Sequence, residues 1–151
     1  MYDFQDLYQE VVMDHNRSPR NFGDLEESTN SSEGYNPFCG DQLTLNLKIE
    51  SGLIADVSFT GTGCAISKAS ASMMTESIKG QTIEHANLIF QEFRKMLTQA
   101  DKDITLNVEL LGDLEILSGI SQFPARIKCG ILAWHTMQSA IESENSTVTT
   151  E

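Results

Sequence analysis

Residues 42–50 alternate strictly, with Leu43, Leu45, Leu47 and Ile49 facing one way and Gln42, Thr44, Asn46, Lys48 and Glu50 the other. A period of two predicts a half-buried strand. A second strand is expected over residues 53–60, where Ala55, Val57 and Phe59 alternate with Asp56, Ser58 and Thr60. A two-residue connection through Ser51-Gly52 would pair Glu50 with Leu53 and set Leu47 against Asp56, which breaks the face pattern. A three-residue loop of Glu50, Ser51 and Gly52, with Gly52 left-handed, instead pairs Ile49 with Leu53, Leu45 with Val57 and Leu43 with Phe59. Carried outward, this register predicts Asp41 opposite Gly61 and Cys39 opposite Gly63, one residue from Cys64.

The other apolar positions recur at helical spacing. Phe4, Leu7, Tyr8, Val11 and Val12 define one face of a helix over residues 3–14. Residues 65–79, rich in Ala, Ser and Met, predict a helix that starts just after Cys64 and stops at Gly80. A third helix over 82–97, capped by Thr82, carries Ile83, Ala86, Phe90, Phe93 and Leu97 on one stripe. The last runs from Phe123-Pro124 to about residue 143, with Pro124 suited to the first turn and Ile127, Ile131, Trp134, Met137 and Ile141 inward. Between them, residues 108–122 fit a short helix that ends at Gly119, and 99–107 a polar connector. Residues 16–38 read as a long loop with at most one short edge strand, because Asn, Ser, Glu, Gly and Pro dominate without periodicity. Residues 144–151 read as a disordered polar tail. The expectation is an α+β protein: a small antiparallel sheet of about three strands against about five helices, forming a single domain over residues 1–143.

With 151 residues and 40% hydrophobic composition, the chain is sized for one core. It has no apolar run near the roughly 20 residues of a membrane span, and its first residues lack the basic and apolar regions of a signal peptide, so the expected compartment is the cytoplasm. A net charge of -12 with only ten Lys and Arg excludes phosphate-backbone binding as a class, so no nucleic-acid partner is expected. Three cysteines are an odd number, and a cytosolic chain of this size has little use for a disulfide framework.

Metal or thiol chemistry is therefore the question the cysteines pose. Free cysteine is ordinarily a small buried residue, but here the context argues for more. Cys39-Gly40-Asp41 offers ligands at i and i+2 on one side of an extended chain, the hairpin draws in Cys64, and Cys129 reaches from the last helix. Gly40, Gly61 and Gly63 flank the first two cysteines and leave room for backbones to approach. Three thiolates and a carboxylate suit tetrahedral zinc. Cys64, at a helix start, gains from the macrodipole. Cys39 lies on the loop side, after Tyr35-Asn36-Pro37-Phe38, and is the thiol freest to swing out and react. Arg126 and Lys128 flank Cys129 and are candidates to offset surplus negative charge, Arg126 the better of the two. His15, His85 and His135 lack ligand spacing.

These segments resemble the U-type (IscU/NifU-like) iron-sulfur cluster assembly proteins. The resemblance is carried by Asp14-His15 through Pro19-Arg20-Asn21-Phe22-Gly23, by Asn36-Pro37-Phe38-Cys39-Gly40-Asp41, and by Gly61-Thr62-Gly63-Cys64-Ala65-Ile66-Ser67. Phe123-Pro124-Ala125-Arg126-Ile127-Lys128-Cys129 and Leu132-Ala133-Trp134-His135 complete it. Lys128 stands where the IscU branch carries a histidine, the Leu-Pro-Pro-Val-Lys chaperone motif is absent, and the longer segment 110–123 is similar to the SufU branch. The resemblance implies a SufE/NifU-like fold and a zinc ion held by Cys39, Asp41, Cys64 and Cys129. It implies as partner a pyridoxal-phosphate cysteine desulfurase of the SufS type, one of whose histidines displaces Cys39 from zinc. The freed thiolate would take persulfide sulfur and pass it to the cluster-building scaffold complex. Two alternatives use the same ligands: a scaffold that assembles a [2Fe-2S] cluster, and a purely structural zinc domain.

Overall fold

The computed structural model describes residues 4–99, 105–142 and 146–149. Its elements run α1 (Phe4–Arg17), β1 (Asn30–Asn36), β2 (Asp41–Glu50), β3 (Leu53–Thr62), α2 (Ala65–Ile78), α3 (Ile83–Thr98), α4 (Val108–Leu111), a 3-10 helix (Gly112–Gln122), α5 (Pro124–Glu142) and β4 (Ser146–Thr149). The strands form one sheet in the order β3-β2-β1-β4, antiparallel except for the short β4, which runs parallel to β1. The fold is α+β, with helices packed on the face that carries Leu43, Leu45, Leu47, Val57 and Phe59.

The β2–β3 hairpin departs from the expected register. Ser51 and Gly52, with φ of 51° and 78°, form the two-residue turn that the face pattern argued against, and Glu50 does pair with Leu53. The register then shifts between Lys48 and Ile49: Ile49 opposes Ile54 but Lys48 opposes Asp56, so Ala55 is an extra residue on β3. A single extra residue flips the alternation back, which sets Leu47 against Val57 and Leu45 against Phe59 on the buried face. The far end consequently pairs Leu43, not Asp41, with Gly61. Asp41 instead lies against Gly63, where a Cβ would collide with its Oδ1.

Three further expectations change. Residues 30–36, expected to be loop or at most a short edge strand, form an interior strand whose buried residues are Ser32, Gly34 and Asn36. Small residues are required because α5 lies close: a Cβ on Gly34 would strike Thr136 Oγ1 and press on Leu132. Ser146–Thr149, expected within the disordered tail, form β4 beside Ser32–Tyr35. The segment expected as a short helix ending at Gly119 holds α4 and then an 11-residue 3-10 helix. Leu111, Leu114, Leu117 and Ile120 are all at most 2% exposed, the stripe that three residues per turn produces. Of the polar connector expected over 99–107, residues 100–104 lie outside the described residues.

The remaining helices follow their apolar stripes. Ala86, Phe90, Phe93 and Leu97 of α3 and Ile131, Trp134 and Met137 of α5 are buried, with Trp134 stacked between Phe90 and Phe93. On α1, Val12 is buried and Tyr8 and Val11 pack partly on the core, whereas Leu7 remains exposed. Cys64 and Thr82 cap α2 and α3 through their side chains. No helix among the described residues is long and apolar enough to cross a membrane.

Candidate metal centre

The β1–β2 connection places the first two candidate ligands. Asn36 and Asp41 pair across the hairpin end, the Gly40 amide donates to the Asn36 carbonyl at 2.9 Å, and Gly40 takes a φ of 75° that favours glycine. Cys39 therefore stands in a turn, partly exposed, while Asp41 at the start of β2 is 0% exposed. Cys129, in the second turn of α5, is fully buried. Its helix is pinned to α2 by Ser70, whose hydroxyl donates to the Gly130 carbonyl at 2.5 Å and accepts from Trp134 Nε1 at 3.2 Å.

Cys39, Asp41 and Cys129 bring one ligand atom each within 4.8 Å of one another. The two sulfurs are 3.2 Å apart. Cys64 is adjacent but turned aside: its backbone N–H donates to Asp41 Oδ1 at 2.8 Å, while its sulfur accepts from Ser67 N–H at 3.4 Å as the cap of α2. The hairpin thus joins Cys39 to Cys129 more closely than to Cys64. The reason is the shifted register, which brings Asp41 to Gly63 and leaves Cys39 beyond the paired strands.

Arg126, one turn before Cys129 on the same face, directs Nη1 to Cys39 Sγ at 3.2 Å and to Cys129 Sγ at 3.9 Å. Its pKa is raised, chiefly by the bond to Cys129 and then by the charge of Cys39, although Cys39 is the nearer sulfur. Lys128 is exposed, and among the described residues no hydrogen bond or ion pair joins it to the cluster. Burial pushes the Cys129 thiol well above its ordinary range, reinforced by the bond to Cys39 and by Cys64 and Asp41.

Asn36 was not singled out by sequence. It is 0% exposed, and its Nδ2 donates to Asp41 Oδ2 at 3.1 Å and to Cys129 Sγ at 3.4 Å, while its Oδ1 accepts from Phe38 N–H. With Cys64 N–H on the other oxygen, both carboxylate oxygens of Asp41 are committed, which fixes the group's direction. The available signal was Asn before Pro at the mouth of the Cys39 turn. Tyr8 of α1 also approaches the site: burial raises its pKa, the charge of Cys64 adds to this, and Arg126 opposes it.

The histidines have other positions. His15 Nδ1 meets Ser72 Oγ at 2.7 Å, and the same hydroxyl accepts from Arg20 N–H at 2.8 Å. Together with the Asn21–Thr75 bond, this ties the Pro19-Arg20-Asn21 segment to α2, and Phe59 exchanges backbone bonds with Asn21 and Gly23. His135 packs edge-on against Phe90. His85, at the start of α3, donates its backbone N–H to Thr82 Oγ1.

Two thiols and a fully buried carboxylate, faced by one guanidinium, form a donor set that fits a soft divalent cation. Sulfur selects for zinc or iron over calcium and magnesium, and the carboxylate is compatible with either of the first two.

Residues 7–130 match the model of the NifU-like N terminal domain family. The zinc-dependent sulfurtransferase SufU of Bacillus subtilis is 43% identical over 138 residues, 91% of each chain. The iron-sulfur cluster assembly scaffold protein IscU of Thermotoga maritima is 38% identical over 92% of this chain and 95% of that protein. A crystal structure from Fervidobacterium islandicum, described as a putative iron-sulfur cluster assembly scaffold protein for the SUF system, superposes with a TM-score of 0.81 at 32% identity. The superposition covers 87% of this chain and 94% of that one. A match across most of the chain, from α1 through Cys129, establishes that this protein belongs to the NifU-like N-terminal domain family.

Proposed function

We propose that this chain is a zinc-dependent sulfurtransferase of iron-sulfur cluster assembly, in which Cys39 accepts persulfide sulfur from a cysteine desulfurase of the SufS type and passes it to the cluster-building scaffold complex in the cytoplasm. The observation that carries the reading is the inequality of the cysteines. Cys129 is buried in a pinned helix and Cys64 caps another, whereas Cys39 stands partly exposed in a glycine-containing turn.

Cys39, Asp41, Cys64 and Cys129 are the proposed zinc ligands, with Cys64 joining by rotation of its side chain away from Ser67. Zinc bound there supplies a charge that keeps the thiols deprotonated at neutral pH. Asn36 and the Cys64 amide aim the Asp41 carboxylate, and Arg126 sets its guanidinium 3.2 Å from Cys39 Sγ. In the transfer, the Cys39 thiolate attacks the terminal sulfur of the desulfurase persulfide. A new S–S bond forms on Cys39 while the desulfurase cysteine leaves as thiolate. The 43% identity to a protein named for this activity supports the reading, as does Lys128 in place of the histidine of the IscU branch.

The test is to mix the zinc-loaded protein with its desulfurase and cysteine, then read persulfide on Cys39 by mass spectrometry alongside cysteine turnover. Stimulated turnover with one sulfur added to Cys39, both lost in Cys39→Ala, is the expected result. Turnover unchanged by the protein, or by that substitution, overturns it. The second reading is a [2Fe-2S] scaffold on the same residues, favoured by the relatives named IscU and by thiol donors that suit iron. Iron and acid-labile sulfide in protein purified without air would favour it.

A further inference from the structure

At the far end of α2 from Cys64, an open cavity of about 540 Å³ is bounded by α1, α2, the start of α3 and the corner between α4 and the 3-10 helix. His15, Glu76 and Asp113 line it, with the Asp14–Arg20 ion pair beside them. Glu76 follows Cys64 by twelve residues of α2, about 18 Å at 1.5 Å per residue, so this cluster is separate from the thiol centre.

His15 is 6% exposed, and its Nδ1 meets Ser72 Oγ at 2.7 Å, an oxygen that also accepts from Arg20 N–H. Its Nε2 has no hydrogen bond among the described residues and faces Glu76 Oε1 at 3.7 Å. That separation is too long for a hydrogen bond and suits two ligands of one ion. Bonds of about 2.0–2.2 Å to a shared metal span it at an angle of roughly 120–135°. Burial, then Arg20, lowers the His15 pKa, so the ring is neutral near pH 7 and has a lone pair to give. When Nδ1 holds the proton and donates it to Ser72, that lone pair is on Nε2, as in a metal-bound imidazole oriented by an outer partner. The carboxylates supply negative charge. Asp14 is answered by Arg20 at 2.6 Å, whereas Glu76 faces only the neutral His15, and Asp113 has no ion pair among the described residues.

We propose that His15 Nε2 and the Glu76 carboxylate bind a second divalent transition-metal ion, with Asp113 turning in and solvent from the open cavity completing its ligands. Imidazole with carboxylate suits zinc, nickel or cobalt, whereas metals that select for thiolate go to the cysteines. The Glu76 side chain is half exposed and Asp113 is exposed, so the ion enters directly from solvent. Once bound, it joins the last turn of α1 to the last turns of α2. The ion is thus a structural clamp between two helices and uses no ligand of the thiol centre.

The experiment uses the full chain holding one equivalent of zinc. Cobalt(II) is added at micromolar free concentration, bound metal per chain is counted by equilibrium dialysis, and absorption and proton resonances are recorded. The expected result is one further equivalent of cobalt, bound without the sulfur-to-cobalt charge-transfer absorption that thiolate ligands give, and with the His15 ring resonances broadened. His15→Gln and Glu76→Gln should each weaken that equivalent roughly tenfold or more, and Ser72→Ala, which removes the partner of Nδ1, by roughly ten- to a hundredfold. Glu50→Gln, on the β2–β3 hairpin, should leave it unchanged. Cobalt that binds as tightly to Glu76→Gln as to the wild type overturns the proposal. So does a wild type that takes up no second equivalent, or one whose uptake comes with the charge-transfer band, which places the cobalt on the cysteines. The wild-type count and the ring broadening need no variant to fold. Persulfide transfer enters none of these readouts, so the outcome is independent of the function proposed above.

Discussion

Substituting alanine at Gly63 tests whether the position of Asp41 sets metal affinity. Gly63 has a φ of 152°, and its Cβ would meet Asp41 Oδ1 and, at 3.0 Å, both Cα and Cβ of Asp41. Two costs follow. Backbone strain at a glycine-only conformation is roughly 1–3 kcal/mol. Pushing the carboxylate aside breaks its bond from the Cys64 amide, a hydrogen bond to a charged group of roughly 1.5–3 kcal/mol. The second cost falls on metal binding as well as stability. At about 1.4 kcal/mol per tenfold, it predicts zinc affinity weakened by roughly ten- to a hundredfold. Gly40→Ala is the matched control: its φ of 75° also strains alanine, but nothing lies within 4 Å of the new Cβ. Chelator competition gives the affinity and denaturant unfolding the stability. If Gly63→Ala binds zinc no more weakly than Gly40→Ala, the collision with Asp41 is not what matters and the reasoning fails.

Two other predictions concern the scaffold. Leu117, 0% exposed in the 3-10 stripe, should cost roughly 2–5 kcal/mol when cut to alanine, whereas Glu115→Ala should stay within about 0.5 kcal/mol. Equal losses in denaturant titrations would deny the three-residue period. His15 has its pKa lowered, first by burial and then by Arg20, with Glu76, Asp14 and Asp113 opposing. The unfolded chain thus binds the proton more readily, so this contribution is complete above the ordinary value of 6.5 and is lost as pH falls below it. His135, also lowered by burial, acts in the same direction. The melting temperature should decline on acidification from pH 7, and less steeply in His15→Gln; identical slopes would exclude His15 as a source.

Local periodicity sufficed to identify β2, β3 and the helices α1, α3 and α5, because each carries its apolar face in its own residues, while composition and the stop at Gly80 identified α2. The chemistry of Cys39, Asp41 and Cys129 was legible for a related reason: donor type does not depend on fold. Other features have causes that no segment contains. β1 holds no large apolar residue on its buried face, and Ser32, Gly34 and Asn36 are interior only because α5 packs against them. The bulge at Ala55 reconciles the tight Ser51-Gly52 turn with a face pattern that needs even parity, and that conflict is settled by pairing along the whole hairpin. Its outcome decides the site. Two residues of register move Asp41 to Gly63, give Cys39 to Cys129, and turn Cys64 towards its own helix. The sequence by itself determined which atoms are available to hold a metal and carry sulfur. Only the tertiary structure decided which of those atoms touch, because contact between residues 39 and 129 is fixed by strand register and helix docking rather than by any local preference.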